Sequence, residues 1–514
     1  MLSAVPAGTK PSAKAYAVFI GCILFFAFAW HVSDVRLAEL FAPAALGRLA
    51  ANIGAMFPPK IDLEFLLLLA RPVLETIAIA FAGISGAIAL AFPLAFFAVR
   101  PEVLRSLEDA PTTRAGRALE ATLHYGARGL LAVLRTIPEM VWALMFVHAI
   151  GLGMLPGVLA IALPYAGVIG KVFSEIIEGV NAGPLIALRA LGASRIKIYF
   201  FAALPQAFPL LLSYALYRFD CALRCSAVLG LVGAGGVGFQ IELSIKMMEY
   251  GEVLTEILVL FGLVAASDFL SGRIRAHLAA TETLARGTRP ARRGTWAAPV
   301  LYVVALAAAA VYCGATPSRI YEAVTGFGDF LIRAFPPATS RDELIQFARA
   351  GAETIGISFI GTVAALLIAI PLAVVAARRA LVAADEYHAS PARSIERAAW
   401  ITASAFARFI LNILRTIPML IFALIFVPAI GIGPFAGVLA VAFHTAGVFG
   451  RLYTEVIEEV NPSSLQTFRG FGAPKTGLLA VDHVSSRLRV WLLSYGGERE
   501  LPPKSIAAEA ELSA

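Results

Sequence analysis

The chain has 514 residues, 59% of them hydrophobic and 15% charged, with a mean hydropathy of +0.79 and a formal net charge of +7. Soluble domains average about 45–50% apolar and about 25% charged residues, so a soluble globular class is excluded. In a chain this apolar the positive balance bears on loop charge and topology rather than on nucleic acid.

The apolar residues come in blocks. Residues 15–30, 76–99 and 354–377 carry no charge at all, and uncharged runs of about 18 or more residues read as membrane-spanning helices. In chain order the blocks predict spans at 15–34, 74–99, 128–150, 156–177, 208–232 and 253–271, then at 297–314, 352–377, 403–429 and 435–457. The first block lacks a clear small-residue cleavage site and reads as an uncleaved helix. The loops test this map. Basic residues gather before the first span (Lys10, Lys14), after the second (Arg100 to Arg128), after the fourth (Arg189, Arg195, Lys197), in the Arg-rich stretch 271–295, and after the eighth (Arg378, Arg379, Arg393, Arg397). Every second loop is basic, and cytoplasmic loops carry the Lys/Arg excess, so both termini are expected in the cytoplasm.

The two halves repeat. "LRTIPEMVWALMFVHAIGLG" starts at Leu134 and "LRTIPMLIFALIFVPAIGIG" at Leu414, an offset of 280. At that offset 20 of the 44 positions from 151 to 194 are identical. Nearer the start the offset is 278: Glu75-Thr76 returns as Glu353-Thr354. Six spans precede the second copy, so the copies share one orientation and form a parallel repeat. The expected fold is all-α and polytopic, with six plus four transmembrane helices. The first copy occupies 1–272 with a loop at 181–207, a linker 273–295 follows, the second copy occupies 296–474, and 475–514 match nothing in the first.

The loop "VNAGPLIALRALGASRIKIYFFAALPQAFP" predicts a short helix over 185–191, a turn at Gly192, and a second helix over 194–204, with Pro205 and Pro209 punctuating entry to the next span. A helix–Gly–helix loop on one membrane face suits docking of a soluble partner. Its spacing, Gly192 then "AALP" at 202–205, resembles the coupling loop of ABC importer permeases. The family's Glu-Ala-Ala triplet is replaced here by Ile186-Ala187-Leu188. The surrounding sequence, from "LRTIPEMVWALMF" through "YRFDCALRCSAVLGLVGAGGVGFQI", resembles the phosphonate ABC transporter permease over most of 60–275, and again over 335–474. The resemblance implies an importer subunit in a bacterial inner membrane. Its partners would be cytoplasmic ATP-binding subunits and a periplasmic phosphonate-binding protein, with no cofactor and no catalysis of its own. It also implies contact with the ATPase through Ala187, Leu188, Arg189, Gly192 and Ala193, and through Arg469 and Gly472 of the second copy.

Within the spans, ionisable residues are functional candidates by default. Arg218, Asp220 and Arg224 lie in the fifth. Asp220 and Arg224 have the spacing of an i,i+4 pair, which would leave Arg218 to meet a doubly charged phosphonate with its fork of donors. Arg135, Arg415 and Glu139 are weaker candidates. "GAGGVG" at 233–238 satisfies G-x-G-x-x-G, but it follows a membrane span, not a strand of a βαβ unit, so a turn is expected there and not a nucleotide site. "GVIGKV" at 167–172 is too short for a P-loop. Cys22, Cys221, Cys225 and Cys313 show no zinc spacing. An ion-coupled secondary transporter and a membrane enzyme are the alternatives. The first would need more intramembrane acids or histidines, the second a polar cluster at one depth. After Ala473 the echo stops and no remaining run is long enough to span, so a truncated or frame-shifted second copy, and with it an inactive remnant, is the expectation.

Overall fold

The computed structural model describes residues 13–104, 113–284, 297–337, 339–383 and 391–458. Arg469, Gly472 and the stretch 475–514 lie outside them. All the regular structure described is helical. The helices are α1 (Ala13–Val32), α2 (Pro43–Ala55), α3 (Leu63–Ala98), α4 (Arg114–Thr136), α5 (Glu139–Ile150), α6 (Met154–Glu178), α7 (Ala182–Ala190), α8 (Leu204–Leu229), α9 (Gly236–Lys246) and α10 (Tyr250–Leu284). The second copy gives α11 (Ala297–Tyr312), α12 (Pro317–Ala334), α13 (Arg341–Ala383), α14 (Pro391–Thr416), α15 (Met419–Ile430) and α16 (Pro434–Glu458). The order from α3 to α6 thus recurs from α13 to α16.

Among the described residues six helical stretches are long and apolar enough to cross a membrane, and nine if each of three bent pairs counts as one span. The first expected span, 15–34, falls on α1 (Ala13–Val32), but two of the expected spans are not single straight helices. The runs read as spans at 128–150 and 403–429 are each two helices, bent by 86° at α4/α5 and by 91° at α14/α15. The cause is the proline of "LRTIP". A proline disfavours helical backbone at the residue before it, and Ile137 is extended (φ −81°, ψ 121°). α10 runs on to Leu284, so the first part of the stretch 273–295 is helical.

The chain forms two compact units. The first takes the described residues up to Ala365 with Ile413–Thr445, and the second takes Leu366–Asn412 with the residues from Ala446.

In the first unit α3 and α6 pack most closely. Ala80, Ala87, Ala91, Ala95 and Ala98 are fully buried along α3, and a Cβ on Gly83 would lie 2.8 Å from the Cβ of Ile161. Small residues let helix backbones approach where lipid provides no hydrophobic drive. The two copies also exchange helices within this unit. α1, the turn after it and α2 pack on the second copy, where Ala29, Val35 and Leu49 join Ile360, Phe422 and Phe426, and Arg48 Nη2 donates to the Ala429 carbonyl at 2.7 Å. In return α11 and α12 pack on the first copy. Tyr302 donates to Ser85 Oγ at 2.9 Å, and Phe327 stacks near Trp142 and Phe146.

In the second unit Ala376, Ala407 and Leu411 form the core. Ser404 Oγ and Arg408 Nε donate to the Ala376 carbonyl at 2.6 and 3.2 Å, and Arg408 pairs with Glu458.

The glycine run at 233–238 is a tight hairpin between α8 and α9. Gly233, Gly235 and Gly236 have φ of +95°, +87° and +77°, a region that favours glycine. Gly238 lies directly on the Ala227 carbonyl, leaving no room for a Cβ. Gly238→Ala is expected to open the hairpin, because neither contact is the end of a flexible side chain. Overpacking costs about 1–3 kcal/mol. Yield of monodisperse protein in detergent and faster proteolysis between α8 and α9 would report it; an unchanged pattern would show the hairpin tolerates the methyl group.

Candidate functional site

The loop expected at 181–207 is built as a rigid knob. Asn181 caps α7, its side chain accepting from the Gly183 amide at 2.9 Å. α7 ends with Gly192 at φ +70°. Gly192 N donates to the Arg189 carbonyl at 3.0 Å and Ala193 N to the Leu188 carbonyl at 3.1 Å, the paired bonds of a Schellman ending. A one-turn helix, Arg195–Ile198, follows and runs through a π-helical stretch at Tyr199–Ala203 into α8. The wide turn falls just before Pro205 and Pro209, whose missing N–H groups break the regular ladder. The loop's second helix is therefore the start of the next membrane helix.

Three clamps hold the knob to the helices beneath it. Glu178, the last residue of α6, receives Arg128 Nη2 at 3.1 Å and the Arg100 amide at 2.9 Å. Arg189 donates to the carbonyls of Glu102 (3.0 Å) and Val103. Arg195 pairs with Glu120 of α4. Tyr199 is fully buried, its ring centre 4.9 Å from that of Phe96.

Of the residues assigned to ATPase contact, Leu188, Arg189 and Ala193 thus turn partly inward, while Ala187 and Gly192 are exposed. The outward surface includes Ile186 (57% exposed), Leu191 (80%) and Ile196 (59%). Sequence reasoning missed these three, and also Glu178, Arg128, Arg195 and Glu120. One signal was available. Arg128 and Glu178 return at the 280 offset as Arg408 and Glu458, and the second unit repeats the same ion pair.

Deeper along α8 lies a polar cluster. The Arg218 guanidinium sits over the rings of Tyr214, Tyr217 and Tyr165, 5.2, 5.7 and 5.8 Å from their centres, and its Nε donates to Tyr214 Oη at 2.8 Å. Glu139, Cys221 and Cys225 neighbour Tyr165. Asp220 is not paired with Arg224, which corrects the i,i+4 expectation. It points to α10 and accepts from Ser267 Oγ at 2.6 Å and Ser271 Oγ at 3.0 Å, with Arg275 Nη1 at 3.6 Å. Asp220 is 2% exposed, buried between α8 and α10. Arg224 donates to the Asp220 carbonyl at 3.3 Å and lies within electrostatic range of His444. Neither Arg218 nor Arg224 forms an ion pair among the described residues. Arg415, by contrast, pairs with Asp268.

At the opposite end of α3 from the knob, Lys60 Nζ bonds Glu252 at 2.7 Å. That bond raises the Lys60 pKa above its ordinary value.

The sequence profile described as "Binding-protein-dependent transport system inner membrane component" matches residues 114–280. Phosphate-import permease protein PhnE of Mycolicibacterium smegmatis is 31% identical over 438 residues, 84% of this chain and 75% of that protein. Phosphite transport system permease protein PtxC of Stutzerimonas stutzeri is 36% identical over 262 residues, 51% of this chain and 87% of that protein.

Proposed function

We propose, from the premise that the chain belongs to the family of binding-protein-dependent transport system inner membrane components, that it carries a phosphorus oxyanion inward through the membrane. Separate ATP-binding subunits supply the energy, and a periplasmic binding protein delivers the substrate. Both termini and the 181–207 knob face the cytoplasm in this reading. The two copies, 1–272 and 296–474, act as two permease halves; the 438-residue similarity is longer than either. Family membership leaves no ground for the secondary-transporter alternative.

The observation that carries the substrate class is the pair of guanidiniums within α8, Arg218 and Arg224, which form no ion pair among the described residues. A cation inside a membrane is costly unless paired or facing a polar path, and a planar donor fork matches a tetrahedral oxyanion. Arg218 is the better placed of the two, because the rings of Tyr165, Tyr214 and Tyr217 hold it and the Tyr214 hydroxyl, which accepts from its Nε, keeps its own proton to donate to the same anion. The names of the relatives point to phosphate and phosphite, and the resemblance read from the sequence points to phosphonate. The shared chemistry is a small, doubly charged phosphorus oxyanion.

The test is uptake into proteoliposomes holding the chain with its ATPase and binding protein. Labelled methylphosphonate, phosphite, phosphate and sulfate are compared. At least one phosphorus oxyanion is expected to enter about tenfold faster than sulfate. Equal rates for all four would sink the assignment.

A further inference from the structure

The two copies are covered unequally, and the difference falls at matching residues. In the first copy α9 roofs α3. Glu75 Oε2 accepts from the Gly236 amide at 3.0 Å and Thr76 Oγ1 from the Val237 amide at 2.9 Å. Leu69 and Thr76 are buried beneath, at 1% and 0% exposure. Their matches on α13, in the same compact unit, are open. Phe347 is 62% exposed. Thr354 is exposed, and its hydroxyl turns back to the Ala350 carbonyl at 2.8 Å. Among the described residues Glu353 bonds only to Arg349, at 3.2 Å.

A second difference lies at the two "LRTIP" copies. Arg415 pairs with Asp268 of α10, and Ile421 is 1% exposed within the cluster formed by Val237, Ile241, Ile257 and Leu260. The first-copy matches lack this cover. Val141 is 43% exposed. Arg135 is exposed and makes no hydrogen bond or ion pair among the described residues.

One kind of element accounts for both gaps. In the first copy α8 to α10 supply loop amides to Glu75 and Thr76 and, from α10, an aspartate to the second copy's arginine. A second element of that build would supply amides to Glu353 and Thr354 and an acid to Arg135. We propose that this element belongs to a separate permease polypeptide: a membrane helix, a glycine-rich loop and a final membrane helix with an acid at the Asp268 position. It docks on Arg135, Val141, Phe347, Glu353 and Thr354. The proposal rests on the two-copy reading above.

Charge selects this occupant. The exposed apolar side chains by themselves would suit lipid tails. A carboxylate–hydroxyl pair that takes backbone amides in one copy, together with a guanidinium that takes an aspartate in the other, calls for a protein segment offering both. A second copy of this chain is a poor source, because its Gly236 and Val237 amides and its Asp268 are engaged in its own fold. Residues 475–514 are a poor source too, since they hold no apolar run long enough to span.

The experiment uses the full chain in its native membrane, expressed with the rest of its transporter. A photo-crosslinking amino acid is placed at Thr354 or at Val141, and adducts are mapped by mass spectrometry. Both positions are expected to label the same second permease polypeptide, Thr354 at its glycine loop and Val141 at its last membrane helix. Arg135→Glu should lower the Thr354 adduct about tenfold, the size of a 1.4 kcal/mol loss. Reversing the partner's acid to arginine should restore it. Adducts with lipid only, with residues 475–514, with a second copy of this chain, or with different proteins at the two positions would overturn the proposal. Uptake and ATPase docking are measured separately, so such a result leaves the transport reading standing.

Discussion

Gly192→Val is expected to lower ATP-driven uptake severely while the chain still inserts in the membrane. Gly192 holds φ +70° and closes both bonds of the α7 ending. A left-handed backbone costs an ordinary residue about 1–2 kcal/mol, and for a β-branched residue it is a genuine outlier. The cheaper course is to abandon the turn, which redirects Leu191 and Ile196 relative to Ile186. Those three form much of the knob's exposed apolar surface, so the docking face is lost rather than trimmed. ATPase co-purification is expected to fall by about tenfold or more, for a loss of roughly 1.4 kcal/mol. Gly192→Asn should keep most of it, because asparagine tolerates this conformation at a helix end. Undiminished ATPase capture by the valine variant would place the coupling contact elsewhere.

Arg218→Ala is expected to lower uptake by a different route. The guanidinium is held by the Tyr214 hydroxyl and three tyrosine rings, so it is already oriented when an anion arrives. Hydrogen bonds to a charged group contribute about 1.5–3 kcal/mol, which corresponds to a loss of roughly 10- to 150-fold in uptake. ATPase co-purification should not change, since Arg218 lies on α8 away from the knob. Arg218→Lys should recover only a fraction, because an ammonium neither stacks on the rings nor presents a planar fork. If the alanine variant lowers ATPase capture and uptake together, Arg218 supports the fold and not the path. If it alters neither, the oxyanion path runs elsewhere.

The sequence by itself determined the membrane class, the internal repeat and the helix–Gly–helix knob. These are local properties. A run of apolar residues satisfies its own backbone as a helix, Gly192 sits where only a left-handed turn fits, and the offsets of 278 and 280 are carried by residue identity. The breaks at α4/α5 and α14/α15 were also legible in principle, because Pro138 and Pro418 sit inside the runs taken as single spans. Tertiary structure alone decided which charges meet. Asp220 has Arg224 one turn away, yet α10 brings Ser267, Ser271 and Arg275 to it, and i,i+4 spacing permits a pair without requiring one. Arg189 and Arg195 read as loop charges but turn toward Glu102, Val103 and Glu120, partners at least 75 residues away. The exchange of α1 and α2 for α11 and α12 was likewise hidden. Periodicity shows that a helix has an apolar face, but which neighbour that face covers depends on how the whole set of helices fits together.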